Sequence, residues 1–172
     1  MRRHRWRKRF WGLGLATALF VADQVTKWYV VERLDLRVPG DHYPLLPFFD
    51  LTRTNNYGVS LGLFTASSDT GRWILVAMTA LIAGAVLVWM LRERRLPDIL
   101  GLAMILGGAL GNIVDRFRFG YVVDFADFHI GTFRPFLIFN VADAAITIGV
   151  VILLARALFI REKTATEHSE TV

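Results

Sequence analysis

The chain has 172 residues, 54% of them hydrophobic, with a mean hydropathy of +0.42. That is too apolar for an ordinary soluble domain, and long enough for one membrane-embedded domain over 1–172. Cysteine is absent, which excludes disulfides, thiolate metal sites and cysteine nucleophiles. The net charge of +5 comes from basic residues that flank apolar runs, a pattern that fits an anionic membrane surface and argues against nucleic acid as a partner.

In chain order, Arg2, Arg3, Arg5, Arg7, Lys8 and Arg9 precede a first apolar segment at about 10–31. A basic start before an apolar run also describes a secretory leader. This run continues past Asp23 into Val25 and Tyr29 without a small-residue cleavage site, and Trp28 and Tyr29 suit a membrane interface. The expectation is a retained helix. An outer loop follows at about 32–72. Pro39-Gly40, Pro44 and Pro47 are turn signals there, and Phe48 to Thr54 alternates as a strand does.

The second span is expected at about 73–91 and the third at about 97–114, joined by Arg92-Glu93-Arg94-Arg95. A second outer loop at about 115–136 contains Tyr121 to Phe125, another strand-like stretch. The fourth span is expected at about 137–160, followed by a polar tail. Positive charge at the N-terminus, at the 92–95 turn and after the fourth span places both termini in the cytoplasm. The expected fold is an all-α membrane protein, a four-transmembrane-helix bundle with a small outer sheet.

Three of these helices carry polar residues at one depth. With a rise of about 1.5 Å per residue, Asp23 lies roughly 20 Å from Phe10, Asn112 about 24 Å from Leu96 and Asp143 about 27 Å from Arg161. All fall near the outer face of a hydrocarbon core ~30 Å thick. Intramembrane polar groups are costly and mark functional sites. Asp23 with Lys27, Asn112 with Asp115 and Arg116, and Asn140 with Asp143 each share a helix face. Each set also has a plain reading: an interfacial ion pair, a helix end in water, or interhelical hydrogen bonding. Asp124 alone is compatible with an ordinary loop carboxylate.

The set offers carboxylates, amides and cations. Two facing carboxylates can share one proton and act as base and acid on water and a carbonyl. Asp124 and Asp143 suit that chemistry, although their spacing alone does not make them meet. A Ser60–Lys27 pair is a weaker alternative. His4, His42, His129 and His168 are scattered, and no metal-ligand spacing is present. A small proton- or ion-coupled transporter and a non-catalytic membrane scaffold remain competing readings.

Four ordered blocks resemble the lipoprotein signal peptidases (signal peptidase II) over nearly the whole chain. They are Asp23-Gln24-Val25-Thr26-Lys27, Asn56-Tyr57-Gly58, Gly107 to Arg116 with Gly120 to Phe125, and Phe139-Asn140-Val141-Ala142-Asp143. The resemblance implies a catalytic pair, Asp124 and Asp143. It implies supporting or substrate-binding roles for Asp23, Lys27, Asn56, Gly58, Gly108, Asn112, Asp115, Arg116 and Asn140. It further implies cleavage of diacylglyceryl-modified prolipoproteins before the lipidated cysteine, no cofactor, a periplasmic β-cradle, the bacterial inner membrane, and inhibition by the cyclic peptide globomycin. Val59-Ser60-Leu61 departs from the family's usual Ala-Ala-Phe.

Overall fold

The computed structural model describes residues 2–58 and 69–169. The departure at Val59, Ser60 and Leu61 lies outside the described residues. Helix α1 spans Arg2–Trp28 and runs into a π-helical turn, Tyr29–Arg33. Strands β1 (His42–Leu46) and β2 (Phe49–Asn56) follow, then α2 (Asp69–Arg92), α3 (Leu96–Phe119), β3 (Val122–Phe128) and α4 (Val141–Ser169).

Helix α3 is the hub, packing along α1, α2 and α4. Small residues let it do so. A Cβ on Gly107 would stand 2.5 Å from the Ala16 carbonyl of α1, and one on Gly108 would collide with the Ala142 carbonyl of α4. At the other end of the same crossing, a Cβ on Gly149 would lie 2.6 Å from the Gly101 carbonyl. Such close backbone approach drives helix association where lipid removes the hydrophobic effect. Gly149→Val should therefore force α4 off α3 at a cost of about 1–3 kcal/mol. Thermal unfolding in detergent reads this, and an unchanged midpoint would contradict the packing.

Among the described residues, Thr70–Arg92, Leu96–Phe119 and Val141–Phe159 are long and apolar enough to cross a membrane. Their outward faces carry Leu81, Leu158 and Phe159 at 76%, 68% and 70% exposure, which suits lipid and not water. The expected fourth span, α1, is not among these three, because it carries a basic start and the polar Asp23, Gln24 and Lys27.

Two of the differences from the expected boundaries bear on the site. Helix α3 runs on to Phe119, so Asp115 and Arg116 are helical and Asp115 is only 1% exposed. Gly120 then ends it in the left-handed region, φ 85°, which glycine accepts without strain. Arg72 of α2 donates to the last carbonyls, Nε to Arg116 O at 2.8 Å and Nη2 to Phe117 O. Helix α4 starts at Val141 instead of near residue 137, because Asn140 caps it.

The sheet has the order β1-β2-β3, antiparallel throughout. Both expected strands are present as β2 and β3. Pro44, read as a turn signal, lies within β1. That strand is at the sheet edge, where a residue lacking an N–H is tolerated. Leu51, Phe125 and Ala126 pack on Val30 and Leu36 beyond the end of α1, which fastens the sheet to the bundle. At the opposite end, Lys8 Nζ donates to Arg94 O at 3.2 Å, and Arg156 of α4 holds Asp98 of α3 through Nε and Nη2 at 2.5 and 3.1 Å.

Candidate active site

The polar residues of α1, α3 and α4 meet where the bundle joins the sheet. Lys27 is 4% exposed, and its Nζ lies 2.8 Å from Asp23 Oδ2 and 2.8 Å from Asp115 Oδ2. Both carboxylates have further work. Asp23 Oδ1 accepts the Ala142 N–H at 3.0 Å, satisfying a free donor in the first turn of α4. Asp115 accepts Gln24 Nε2 at 2.9 Å and the Val123 N–H at 3.1 Å. One cation between two carboxylates thus ties α1, α3, α4 and β3 together.

Asn140 and Asp143 form a reciprocal cap at the start of α4. Asn140 Oδ1 accepts the Asp143 N–H at 2.8 Å, and Asp143 Oδ2 accepts the Asn140 N–H at 3.4 Å. The same Asn140 side chain donates from Nδ2 to Asp124 Oδ1 at 2.6 Å. Asn112 Nδ2 donates to Asp143 Oδ1 at 2.8 Å. Asn56 Nδ2 donates to Asp124 Oδ2 at 3.0 Å, and the Gly58 N–H donates to Asn56 Oδ1 at 2.9 Å, which orients that amide. A single asparagine therefore bridges a strand carboxylate and a helix carboxylate.

The two carboxylates differ in surroundings. Asp124 is 2% exposed. Burial, and next the charge of Asp143, push its carboxyl up to about 6, against the hydrogen bonds from Asn56 and Asn140. Asp143 is half-buried and sits in the first turn of α4, where the helix dipole favours a negative charge. Arg116 lies within electrostatic reach of Asp143, Asp124 and Asp115. Its Nη1 donates to the Asn112 carbonyl at 3.5 Å.

Two clefts open onto the pair. One, of about 420 Å³, is mostly apolar and places Asp143 beside Phe128, Phe139 and Ile148. The other, of about 640 Å³, places Asp124 beside Asn56, Gly58 and Arg134. Phe136 and Leu137 line both.

Of the residues singled out in the sequence, Asp23, Lys27, Asn56, Gly58, Asn112, Asp115, Arg116, Asp124, Asn140 and Asp143 come together here. Gly108 does not join the polar cluster; it sits against the Ala142 backbone. Sequence reasoning gave Gln24 no separate role, although its Nε2 touches both Asp23 and Asp115. It also missed Asp127, which is 1% exposed and accepts from Thr52 Oγ1 at 2.9 Å and Arg134 Nε at 3.0 Å. A second carboxylate three residues after Asp124 in the strand Val122–Phe128 was the available signal.

Fold and site together define a helical membrane protein with two carboxylates bridged at one end of the bundle. The family model described as signal peptidase (SPase) II matches residues 15–159. A lipoprotein signal peptidase of Sphingopyxis alaskensis is 59% identical over 152 residues, covering 88% of this chain and 87% of the relative. One from Rhizorhabdus wittichii is 51% identical over 162 residues, 94% of each. A solved bacterial membrane enzyme superposes with a TM-score of 0.73 at 30% identity, covering 86% of this chain and 92% of that one. The chain belongs to the signal peptidase II family of proteases.

Proposed function

We propose that this chain is an intramembrane aspartyl endopeptidase that removes the signal peptide from diacylglyceryl-modified prolipoproteins, cutting before the lipidated cysteine. The observation that carries this reading is the Asn140 bridge, which donates to the Asp124 carboxylate from Nδ2 at 2.6 Å and to the Asp143 carboxylate from its backbone N–H at 3.4 Å. Asp143, at the positive end of α4, is the base. Asp124, buried and raised to about 6, holds the shared proton below that pH.

Asp143 takes a proton from water as the oxygen attacks the scissile carbonyl carbon, and Asp124 gives its proton to the carbonyl oxygen. A gem-diol results. Asp143 then returns its proton to the leaving nitrogen, Asp124 recovers one from the diol, and the C–N bond breaks. Asn112, Asn140 and Asn56 hold the two carboxyl groups in place, and Arg116 offsets negative charge around them.

The apolar cleft beside Asp143 suits acyl chains and an apolar signal helix, while the polar cleft at Asp124 admits water. Helix α1 is read as a fourth span, since Asp23 and Lys27 are paired inside the bundle and do not face lipid. With the positive flanks inside, the termini are cytoplasmic and the sheet lies on the outer, periplasmic side of the inner membrane. All of 1–172 forms one domain.

Expression in a bacterium depleted of its own lipoprotein signal peptidase tests the reading. Lipidated precursor should be processed, and globomycin should bring it back. Precursor that persists despite membrane insertion would refute the assignment, and proton or ion flux in its place would favour a transporter.

The alkaline limb of kcat/KM should fall near pH 6, where Asp124 loses its proton. Asn56 stabilises the ionised form of Asp124, so Asn56→Ala should raise that ionisation further. The limb should move upward by about one pH unit. A limb that stays or moves down would contradict the role given to Asn56.

A further inference from the structure

A second polar cavity, of about 350 Å³, lies where the end of α1, the π-helical turn, the end of α3 and the sheet meet. Neither Asp124, Asp143 nor Asn140 lines it. Arg53 of β2 does, and it is only 4% exposed. Its Nε and Nη1 are buried with no hydrogen-bond acceptor among the described residues. Its Nη2 makes one long bond, 3.4 Å to Tyr121 Oη, and its Cζ lies 5.6 Å from the Tyr121 ring centre. A guanidinium removed from water without an anion is costly.

The neighbouring groups do not supply that anion. Lys27, Arg37 and Arg118 also line the cavity, against the carboxylates of Glu32 and Asp115. Asp115 is held by Lys27 at 2.8 Å, and Glu32 by Arg37 at 3.1 Å. Lys27 is also paired with Asp23 at 2.8 Å and Arg37 with Asp35 at 2.7 Å, so among the described residues Arg53 and Arg118 are the lining cations left without a carboxylate partner. Trp28, Phe119 and Tyr121 complete the wall, aromatic residues of the kind found at headgroup level.

We propose that this cavity binds the phosphate group of an anionic phospholipid at the outer membrane surface, with Arg53 as its principal donor and Arg118 as a second cation. An occupied site would fasten the sheet to the bilayer independently of the peptidase chemistry.

The test uses the full chain purified in a phosphate-free maltoside detergent. Binding of short-chain phosphatidylglycerol and, separately, of inorganic phosphate is followed by native mass spectrometry and by thermal unfolding. Wild type should bind phosphatidylglycerol about tenfold more tightly than Arg53→Gln, the loss of a charge-assisted donor. Arg53→Lys should recover part of that loss. Arg118 is exposed, so Arg118→Gln should fold and weaken binding about threefold. Asp124→Asn should bind as wild type does, which separates this site from the peptidase reading.

Binding of the lipid but not of inorganic phosphate supports a membrane source. Equal, Arg53-dependent binding of inorganic phosphate supports the phosphate site and overturns its assignment to lipid. Equal lipid affinity in wild type and Arg53→Gln overturns the proposal. If Arg53→Gln does not fold, unchanged binding in both Arg53→Lys and Arg118→Gln overturns it.

Discussion

Asp143→Asn and Asp124→Asn should each lower the rate of precursor cleavage by ~10³-fold or more, a loss on the scale of positioned acid–base catalysis. Each change is nearly isosteric. Both variants should therefore insert while lipidated precursor goes uncut, and Asp143→Asn should melt close to wild type. The two sites nonetheless differ in what an amide disturbs. At Asp143 the oxygen that accepts from Asn112, at 2.8 Å, or the one facing the Asn140 N–H, at 3.4 Å, becomes an NH₂. At Asp124 both oxygens accept amide donors, from Asn140 and Asn56, so Asp124→Asn must leave one donor facing another. Its loss of activity should come with some loss of stability, on the order of 1–3 kcal/mol. Single-turnover cleavage and thermal unfolding of the same preparations separate these effects. A variant that keeps more than about a tenth of wild-type activity would remove its residue from the reaction.

The second large effect is expected at Lys27. Lys27→Met removes the cation paired with both Asp23 and Asp115, which are 0% and 1% exposed. Two buried carboxylates would then face each other without compensation. Breaking such a buried arrangement costs about 3–5 kcal/mol. The damage should reach the site, because Asp23 holds the Ala142 N–H and Asp115 holds the Val123 N–H. Both the start of α4 and the strand carrying Asp124 would loosen. Lys27→Met should therefore show lowered detergent stability together with lowered cleavage. Adding Asp23→Asn to Lys27→Met should recover part of the stability by removing one uncompensated charge. Wild-type stability in Lys27→Met would show that the ion cluster does not hold these elements.

The one-depth pattern of Asp23, Asn112 and Asp143 was legible because polar groups are expensive inside an apolar helix, so few remain without a reason. The structure joins that layer through Asp23 to the Ala142 N–H and through Asn112 to Asp143. The contact between Asn56 and Asp124 was not legible from spacing. It depends on the register of β2 against β3, which pairs Asn56 with Val122 and Thr54 with Asp124 beyond an irregularity between Leu51 and Thr54. No local pattern sets such a shift. The start of α4 was misplaced because Phe136 to Phe139 continues the apolar run, and this hid Asn140 as a cap three residues before Asp143. Asp115 kept a second reading as the end of a helix in water, because no local signal shows that Lys27 and Gln24 of another helix enclose it. Arg53 gave no sign of burial, since a charged residue in a strand usually faces solvent.

The most direct measurement is cleavage of a synthetic diacylglyceryl-modified precursor by the purified chain in buffer containing EDTA, with products weighed by mass spectrometry. A single cut immediately before the lipidated cysteine, indifferent to EDTA and absent from Asp124→Asn, is the predicted result. An uncut precursor, or a cut that EDTA abolishes, would contradict a peptidase built on two carboxylates.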